Sequence, residues 1–488
     1  MNVEPRPAPL VAALVDALRE SNVTYCHWKS NESLGGAVTG EQDLDLLIAR
    51  EDARVTVEIL ARLGFVLARP SRDRQLPGIL DYYATDEAAG RIIHVHAHFQ
   101  LVVGDDMTKN FHLPVEGPYL ESRTTGGPLP TPSIEWEYLV FVIRMIVKHS
   151  PWDAQLARKG KLAPSERREL ADLSARVDEQ KVADLRRRYL PMIDQALFDR
   201  CVAAANGSLN RLERMFVARR LLRAVDSLGR SGRTVDTILR VWRRTLRRLR
   251  RRSERHVPGK RPDVGGSIVA VVGGDGSGKS STVEALVEHL SSDFAVRRVH
   301  MGKPPWTRTS KIIRRQMRRA RRFGLFQATK LDPWTDFSQR PFPGYGYLIW
   351  HLLIARDRYQ QYRQARRASG RGEVIVSDRW PLAPLRIMDG PRLQSIPRAG
   401  SSLLAKKLCD RELAYYQAIL PPDLVIVLRV SPEVAARRRT EDPAEFVQKR
   451  AAEVWDADWT GIPALVIDAD QPLELVVAQA RRAIWSRL

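Results

Sequence analysis

Residues 268–282 read Ile-Val-Ala-Val-Val-Gly-Gly-Asp-Gly-Ser-Gly-Lys-Ser-Ser-Thr, an apolar run followed by a glycine-rich turn. The β-branched run predicts a buried strand, and the apolar periodicity that follows it predicts a helix. Glycines in such a turn let backbone N–H groups point inward around phosphate oxygens, and the helix adds the positive end of its dipole. The spacing Gly-x-x-x-x-Gly-Lys-Ser of a phosphate-binding loop is filled by Gly273, Gly278, Lys279 and Ser280. The stretch therefore predicts an α/β domain with a phosphate-binding loop.

The side chains of this loop predict a site for a nucleoside triphosphate and a divalent cation. Lys279 is expected to reach the β- and γ-phosphates, and the Ser280 hydroxyl is expected to ligate Mg²⁺. ATP and Mg²⁺ are therefore the expected cofactors. The residues expected to contact them are Gly273, Gly274, Gly276, Ser277, Gly278, Lys279, Ser280 and Ser281.

The composition of the chain indicates several domains and an anionic partner. Its 488 residues predict two or three domains, and 44% hydrophobic residues are ample for buried cores. The formal net charge of +22 favours nucleotides, nucleic acid or an anionic membrane surface as partners. The N-terminal residues lack a signal-peptide pattern, and no apolar stretch reaches the ~18 residues of a membrane span. The cysteines are far apart and suggest neither a disulfide framework nor a zinc site, so we expect a cytoplasmic protein; they are Cys26, Cys201 and Cys409.

The pattern of apolar residues divides the chain into three regions. Residues 1–125 alternate short strands with helices and predict a small α+β domain. Residues 126–262 predict a helical, basic connecting region that ends in a Pro-Gly-Lys-Arg-Pro boundary. Residues 263–488 alternate strands and helices again and predict a doubly wound parallel sheet.

Half of the excess positive charge lies in residues 230–261, which carry thirteen Lys and Arg against two acidic residues. A second basic stretch, residues 311–322, has seven Lys and Arg in twelve positions. Such segments fit a solvated linker helix, a contact with an anionic membrane surface or a contact with nucleic acid, and all three interpretations stay open. Helical spacing in the first segment predicts a narrow apolar stripe of Ile238, Trp242, Leu246 and Leu249.

Two further stretches of residues 263–488 predict site residues at the ends of core strands. Residues 373–380, Glu-Val-Ile-Val-Ser-Asp-Arg-Trp, predict a buried strand that ends in Asp378 and Arg379, where ligands of such sheets bind. An acid there can hold Mg²⁺ through water, and an arginine can hold a second phosphate. Residues 421–430 predict another core strand, followed by three arginines, Arg437, Arg438 and Arg439.

Together these residues resemble thymidylate kinase and its nucleoside monophosphate kinase relatives over about 220 residues. The resemblance implies that Asp275 contacts the sugar hydroxyl of the acceptor and that Arg358 and Arg379 hold the acceptor phosphate. It also implies that Arg438 packs over the ATP base. Because position 276 is glycine rather than arginine, the catalytic cation is expected from a mobile lid, where it would be supplied by Arg437 or Arg439.

Three departures from this family concern the acceptor. Residues 301–306 read Met-Gly-Lys-Pro-Pro-Trp where the family usually has an acidic residue beside Pro-Gly-Gly. The family's Leu-Asp-Val is Leu-Arg-Val at residues 428–430, and residues 380–392 do not match the usual continuation. The expected acceptor is therefore a nucleoside monophosphate or another phosphorylated small molecule, and thymidylate itself is not supported.

Residues 25–30 and 40–48 resemble the core of the nucleotidyltransferase superfamily. Asp43 and Asp45 lie two apart on a predicted strand, so both carboxylates project from one face and can share a Mg²⁺. Ser30 is expected to meet a triphosphate. The strand where a third carboxylate is expected has no acid and instead places histidines on one face, of which one or two at most can ligate one ion: His94, His96 and His98.

The sequence thus predicts an ATP- and Mg²⁺-dependent phosphotransferase of the thymidylate kinase type, joined through basic helices to a nucleotidyltransferase-like domain. That N-terminal domain fits three interpretations: a degenerate binding domain, an active nucleotidyltransferase or a structural module. Two alternative functions follow. In one, the N-terminal domain transfers a nucleotidyl group and the kinase-like domain supplies or senses its nucleotide. In the other, the phosphate-binding loop is a non-catalytic, ATP-dependent switch on an anionic partner. A homodimer also stays open.

Overall fold

The computed structural model describes residues 6–149, 162–251, 257–302, 304–322, 342–396 and 401–488. The chain divides into two compact units, residues 1–256 (unit 1) and residues 257–488 (unit 2). The sequence predicted three regions, with residues 126–262 apart from the N-terminal domain. In the structure the middle helices share one hydrophobic core with the N-terminal strands. The helix at residues 134–149 is part of this core, because its apolar side chains are buried on nearly every face of the helix.

Strands and helices alternate in the first part of unit 1. The helices are α1 (Pro9–Glu20), α2 (Leu34–Val38), α3 (Ala53–Arg62) and α4 (Glu116–Glu121). The strands are β1 (Tyr25–His27), β2 (Leu44–Ile48), β3 (Val66–Arg69), β4 (Ile79–Asp86), β5 (Arg91–His98), β6 (Leu101–Val103) and β7 (Phe111–Leu113).

The main sheet of unit 1 has the strand order β1-β2-β5-β4-β3, and β6 pairs separately with β7. Strands β2 and β5 run parallel, whereas β4 and β5 form an antiparallel hairpin. The register places His96 beside Asp45 on one neighbouring strand and beside Asp81 on the other. Three polar residues from three strands therefore lie in one row across the sheet.

Helices form the rest of unit 1. They are α5 (Ile134–His149), α6 (Pro164–Arg176), α7 (Glu179–Tyr189), α8 (Gln195–Ala205), α9 (Arg211–Ala224) and α10 (Arg233–Arg251). The last of these contains the predicted apolar stripe, while residues 252–256 of the basic segment lie outside the described residues. None of the described helices in either unit combines the length and the apolar character that a membrane crossing requires.

Unit 2 is built on a parallel sheet with the strand order β10-β11-β9-β12-β13. The strands of the unit are β8 (Arg261–Pro262), β9 (Ile268–Gly273), β10 (Val296–His300), β11 (Val374–Asp378), β12 (Leu424–Arg429) and β13 (Ala464–Asp468). The helices are α11 (Lys279–Ser291), α12 (Arg308–Arg322), α13 (Tyr345–Ser369), α14 (Arg386–Asp389), α15 (Leu403–Gln417), α16 (Pro432–Arg438), α17 (Ala444–Trp455) and α18 (Leu473–Trp485).

The parallel sheet predicted for this part of the chain is confirmed. Strands β9 and β11 are buried along their whole length, as expected of β-branched strands covered on both faces. Strand β9 lies in the middle of the sheet, between β11 and β12. The chain after β9 continues to β10 at one edge of the sheet, and the chain after β12 continues to β13 at the other edge, so the loops that follow β9 and β12 diverge. A crevice at the carboxyl ends of the strands, beside this central strand, is where ligands of such sheets bind.

Candidate phosphate-binding site

The loop between β9 and α11 requires glycine at two positions. Gly276 and Gly278 have φ angles of +80° and +82°, in the left-handed region that other residues rarely adopt. A Cβ atom on Gly276 would also lie 2.9 Å from the Ala435 carbonyl oxygen. Gly278 caps α11, so the loop delivers the chain into the helix N-terminus that the sequence predicted for an anion.

The other predicted loop residues precede the turn, lie within it or follow it in the chain. Gly273 ends β9, and Gly274 begins the loop. Ser277 is buried, whereas the side chains of Ser280 and Ser281 are exposed on the first turn of α11 and line a cavity at the carboxyl end of the sheet.

Lys279 is buried at the floor of this cavity, with 8% of the residue exposed. Its ammonium group donates a hydrogen bond to the carbonyl oxygen of Gly274, across the loop. Burial lowers the pKa of Lys279 to about 8, and the nearby Arg379 contributes to the same shift. The lysine therefore carries a poorly solvated charge at the place where the sequence predicted phosphate oxygens.

Asp275 is held by two arginines. Its carboxylate accepts hydrogen bonds from Arg379 Nη2 at 3.2 Å and from Arg450 Nη1 at 2.5 Å. Burial by itself would raise the pKa of Asp275, but the Arg450 hydrogen bond and the charges of Lys279 and Arg379 outweigh it and lower the pKa. Asp275 lines the cavity as an ionised, fixed acceptor.

Asp378 and Arg379 lie together at the carboxyl end of β11, as predicted. Asp378 is 7% exposed, and its Oδ1 atom is buried without a hydrogen-bond partner among the described residues. Arg379 has a φ angle of +68°, which turns the chain sharply out of the strand and sends its side chain toward Asp275. Both residues line the cavity.

The guanidinium group of Arg358 lies behind the cavity wall and is bonded to protein groups. It is 4% exposed, and its Nε atom donates to the carbonyl of Met301 at 2.8 Å. Its two Nη groups donate to the carbonyl of Gly302, to the hydroxyl of Tyr416, and to the carbonyl and carboxylate of Asp389. All five N–H donors of the guanidinium group therefore have partners inside the unit. Arg358 holds Gly302 and Asp389 in the cavity wall, and its predicted contact with an acceptor phosphate stays a prediction.

The three arginines after β12 have different positions. Arg438 and Arg439 line the cavity, whereas Arg437 is exposed and is not among the described lining residues. Arg438 donates to the carbonyl of Ala469 at 2.7 Å, which ties the end of α16 to the loop after β13. Arg439 forms an exposed ion pair with Asp442 at 3.0 Å. Exposed and only locally paired, Arg439 fits the mobile cation predicted for this cluster better than Arg437 does.

The cavity has a volume of about 710 Å³, which falls in the range of sites for small molecules. Sequence reasoning missed four of its polar lining residues. Their elements are distant in the chain, and only one carried a signal: His300 ends β10 opposite Asp378, at the sheet edge where site residues collect. The four are His300, Asp389, Asp442 and Arg450.

Unit 1 brings its predicted site residues into a separate polar cluster. Asp45 is 9% exposed, and its Oδ1 atom lies 2.7 Å from Lys29 Nζ and 3.0 Å from His96 Nδ1. Burial would raise the pKa of Asp45, but Lys29, His96 and His98 reverse the effect and lower it well below the usual range. Burial also lowers the pKa of His96 and of His98, so both imidazoles are neutral at pH 7.

A further carboxylate near this cluster belongs to the neighbouring strand. Asp81 on β4 accepts a hydrogen bond from His94 Nε2 at 2.9 Å, while Nδ1 of the same ring lies 2.9 Å from Asp43. The hairpin of β4 and β5 could have revealed Asp81, because counting back from its turn along both strands pairs Asp81 with His96. The Ser30 backbone amide is engaged by Glu169 at 3.1 Å. A Mg²⁺ shared by Asp43 and Asp45 stays a prediction.

Comparison with known proteins gives sequence similarity over less than half of the chain. No protein-family model matches it. The chain is 26% identical over 230 residues to the uncharacterized ATP-binding protein YghS of Escherichia coli K12, a match that covers 45% of this chain and 93% of the relative. It is 26% identical over 224 residues to the uncharacterized ATP-binding protein YghR of the same strain, covering 44% and 86%.

Among solved structures, the chain is similar to deoxyadenosine kinase from M. mycoides with the products dCMP and dCDP bound. The TM-score is 0.28 at 16% identity, and the match covers 45% of this chain and 100% of that chain. The same kinase with dATP bound gives a TM-score of 0.27 at 16% identity, covering 44% and 98%. These similarities do not show the nucleotidyltransferase resemblance of the N-terminal residues, which stays a prediction.

Proposed function

We propose that unit 2 binds ATP with Mg²⁺ and transfers the γ-phosphate to a nucleoside monophosphate or a related phosphorylated acceptor. One observation carries the proposal: the glycine loop, the buried Lys279 and the Asp378-Arg379 pair line a single cavity at the carboxyl end of a parallel sheet. Two ATP-binding relatives with sequence similarity over about 45% of the chain support it.

The residues of the cavity fit the phosphates of ATP. Lys279 offers an ammonium group whose hydrogen bond goes to a backbone carbonyl rather than to a carboxylate, so its charge remains for an anion. The loop also leads into the positive end of α11. Arg438 and Arg439 add two guanidinium groups to the lining of the same cavity.

The same cavity fits Mg²⁺. The buried Oδ1 atom of Asp378 has no hydrogen-bond partner among the described residues, and a buried carboxylate oxygen in that condition is costly unless a cation or water satisfies it. The exposed hydroxyl of Ser280 lines the same cavity and supplies a second oxygen. Asp378 and Ser280 would hold the ion, which would supply positive charge against the negative charge that develops during transfer.

Phosphoryl transfer needs positioning and positive charge more than covalent chemistry. Lys279 supplies charge to the phosphate oxygens that become more negative during transfer. Asp275 keeps Arg379 in place through a 3.2 Å hydrogen bond, so the guanidinium does not have to reorganise to hold the acceptor phosphate. Arg439, exposed on the segment after α16, supplies the lid cation. Arg358 fixes Asp389 and the backbone around Gly302, which form the wall beside the acceptor.

Product analysis with labelled ATP tests this function and separates it from the alternatives. The purified chain is incubated with γ-labelled or α-labelled ATP, Mg²⁺ and a panel of nucleoside monophosphates and sugar phosphates. The expected result is transfer of the γ-label to one class of acceptor, with the α-label left in ADP. Transfer of the α-label would favour the nucleotidyltransferase, and ATP binding with no labelled product would favour the switch.

Steady-state kinetics over all deoxynucleoside monophosphates then sharpen the identity of the acceptor. We expect thymidylate not to be strictly preferred, because Arg429 and residues 380–392 depart from the thymidylate kinase pattern. A thymidylate kcat/KM of ~10⁴ M⁻¹s⁻¹ or more, with the other nucleotides far behind, would contradict this expectation.

A further inference from the structure

Three ligand atoms converge in unit 1, whereas the cavity of the proposed phosphotransferase belongs to unit 2. His96 Nδ1 lies 3.0 Å from Asp45 Oδ1 and 3.3 Å from His98 Nε2. The third side of this triangle, from His98 Nε2 to Asp45 Oδ1, is 3.8 Å. One carboxylate oxygen and two imidazole nitrogens therefore face a common point.

These separations match the spacing of ligands around one small ion. Nitrogen and oxygen ligands that lie ~2.0–2.1 Å from a tetrahedral zinc ion are ~3.3 Å apart. The three observed distances scatter around that value, so one point at bonding distance from all three atoms exists without movement of the backbone. The ligand atoms come from adjacent strands, β2 and β5, which fixes their relative positions through the sheet register.

The surroundings of the triangle fit a metal site. The other ring nitrogen of His96, Nε2, faces Asp81 at 3.7 Å, and Asp81 is itself fixed by a 2.9 Å hydrogen bond from His94. A carboxylate behind a histidine ligand orients the ring and raises its basicity toward the ion. His98 is 2% exposed and Asp45 is 9% exposed, so both ligands are held rigidly.

A cavity of about 500 Å³ gives access to this cluster. Its lining includes His96 and Asp81 together with three cationic residues, Arg69, Arg74 and Lys109. Burial lowers the pKa of Lys109 to about 8, with Lys29 contributing to the shift. An ion at the cluster would thus lie beside a space whose charge suits an anionic ligand.

We propose that Asp45, His96 and His98 bind one divalent transition-metal ion of the zinc class. The two nitrogens and one oxygen suit zinc, whereas Mg²⁺ prefers oxygen ligands alone. For Nδ1 of His96 to ligate the ion, the ring proton that Nδ1 shares with Asp45 moves to Nε2 of the same ring, which faces Asp81. Lys29, 2.7 Å from Asp45 Oδ1, is the cation that competes for the same oxygen.

The test uses the full, untagged chain, stripped of metal with a chelator and titrated with Co²⁺ as a visible probe and with Zn²⁺ as its competitor. We expect one Co²⁺ per chain with the visible absorption of a four- or five-coordinate site, displaced by Zn²⁺ and not by excess Mg²⁺. No ATP is present, so this result does not depend on the proposed phosphotransferase. A wild-type chain that shows no such Co²⁺ absorption, or from which Mg²⁺ displaces the ion as readily as Zn²⁺, overturns the proposal.

Matched substitutions locate the ion. His98→Gln should weaken Co²⁺ affinity by ~100-fold or more, whereas His112→Gln, the same change at a partly exposed histidine on β7, should leave it unchanged. Lys29→Met should keep or tighten Co²⁺ binding, because it removes the competing charge. Equal Co²⁺ affinity in folded His98→Gln and His112→Gln proteins would contradict the assignment of the ligands. Loss of Co²⁺ binding in folded Lys29→Met would contradict it as well. X-ray absorption of the wild-type Co²⁺ complex, which must show histidine ligands, decides the matter if His98→Gln fails to fold.

Discussion

Each unit places a lysine near carboxylates, and the two lysines are held in opposite ways. In unit 1 the ammonium group of Lys29 lies 2.7 Å from a carboxylate oxygen of Asp45, so the two charges neutralise each other. In unit 2 the ammonium group of Lys279 donates to the carbonyl of Gly274. Within the part of the chain that the structure describes, it forms no ion pair with a carboxylate.

The difference comes from the arginines around each site. In unit 2 the nearest candidate partner of the lysine, Asp275, is already paired with Arg379 and Arg450. The hydrogen bonds of the Asp275 carboxylate thus go to guanidinium groups, and Lys279 bonds to a backbone carbonyl instead. A lysine near an aspartate can therefore keep its charge available for an anion when other cations engage that aspartate.

The largest expected effect separates the two lysines directly. Lys279→Ala should lower ATP-dependent phosphoryl transfer by at least ~10²-fold, as expected when one preorganised donor to a developing charge is removed. Lys29→Met, the control, should leave this transfer unchanged. The measurement is kcat/KM for ATP in both variants, with thermal unfolding to verify that each is folded. Wild-type activity in folded Lys279→Ala would refute the assignment of the loop.

The second prediction concerns a charge that is wholly engaged inside unit 2. Arg358→Met should lower the free energy of unfolding by about 3 kcal/mol, because it removes the hydrogen-bonded cation of the buried Asp389 carboxylate and leaves only the longer 3.9 Å ion pair with Arg379. Denaturant unfolding of unit 2 measures the effect, and Arg437→Met is a control on an exposed arginine. If Arg358→Met keeps the stability and raises only the KM of the acceptor, the residue contacts the acceptor as the resemblance to thymidylate kinase implied.

The third prediction tests the buried oxygen without a partner. Asp378→Asn should lower kcat by about tenfold to a hundredfold and weaken the dependence of the rate on Mg²⁺ concentration. The neutral amide is a poorer cation ligand, but its size preserves the end of β11. Rates over a Mg²⁺ titration measure this. An unchanged Mg²⁺ dependence would assign the ion to other residues.

The sequence predicted the parts of the sites that are contiguous in the chain. The loop at residues 273–281 is one such part, since its spacing alone defines the backbone path around a phosphate. Asp378 and Arg379 were also predicted, because a buried strand and its carboxyl end can be read from the local pattern. Both parts belong to unit 2, and each is a run of consecutive residues.

Residues that meet through tertiary packing could not be read in this way. Arg450 lies 175 positions from its partner Asp275, and no local pattern marks the encounter. Asp81 was within reach only through the register of the hairpin, which links β4 to β5. The packing of the middle helices could not be read for the same reason: the pattern of α5 shows a helix, but not that it packs on the N-terminal strands.

The fourth prediction is that ATP affinity depends on pH through the protonation of Lys279. With a pKa of about 8, Lys279 loses its proton in the folded protein between pH 8 and 9, so ATP affinity should fall by up to about tenfold over that unit. The unfolded chain keeps this proton to higher pH, so the same group makes the ATP-free fold more stable as pH rises. Lys279→Arg, which stays charged, should lose the decline in affinity. A constant Kd for ATP from pH 7 to 9 in the wild type would contradict the low pKa.

The contrast between engaged and available groups also applies to α10. The face of α10 that packs on the rest of unit 1 carries charged residues. Arg240 pairs with Asp236 at 3.0 Å, and Arg244 pairs with Asp105 at 2.5 Å. Part of the charge that the sequence offered to an anionic partner is therefore engaged internally. The predicted apolar stripe is instead largely exposed, with Ile238 at 66%, Trp242 at 54% and Leu249 at 60%. An exposed apolar stripe on a basic helix favours an anionic membrane surface over nucleic acid.

The smallest expected effect tests this helix. The full chain should bind vesicles of acidic lipid, and part of the binding should persist at high salt because the stripe enters the interface. Trp242→Ser should weaken vesicle binding about fivefold, or ~1 kcal/mol, since the indole is partly packed already. Phe216→Ser, the loss of an exposed aromatic ring on α9, is the matched control and should have no effect. Nucleic-acid binding that disappears with salt and is equal in both variants would assign the basic segment to a phosphate backbone instead. If the chain binds neither vesicles nor nucleic acid at low salt, α10 is only a solvated linker helix that packs on its neighbours, and its basic charge has no role in binding.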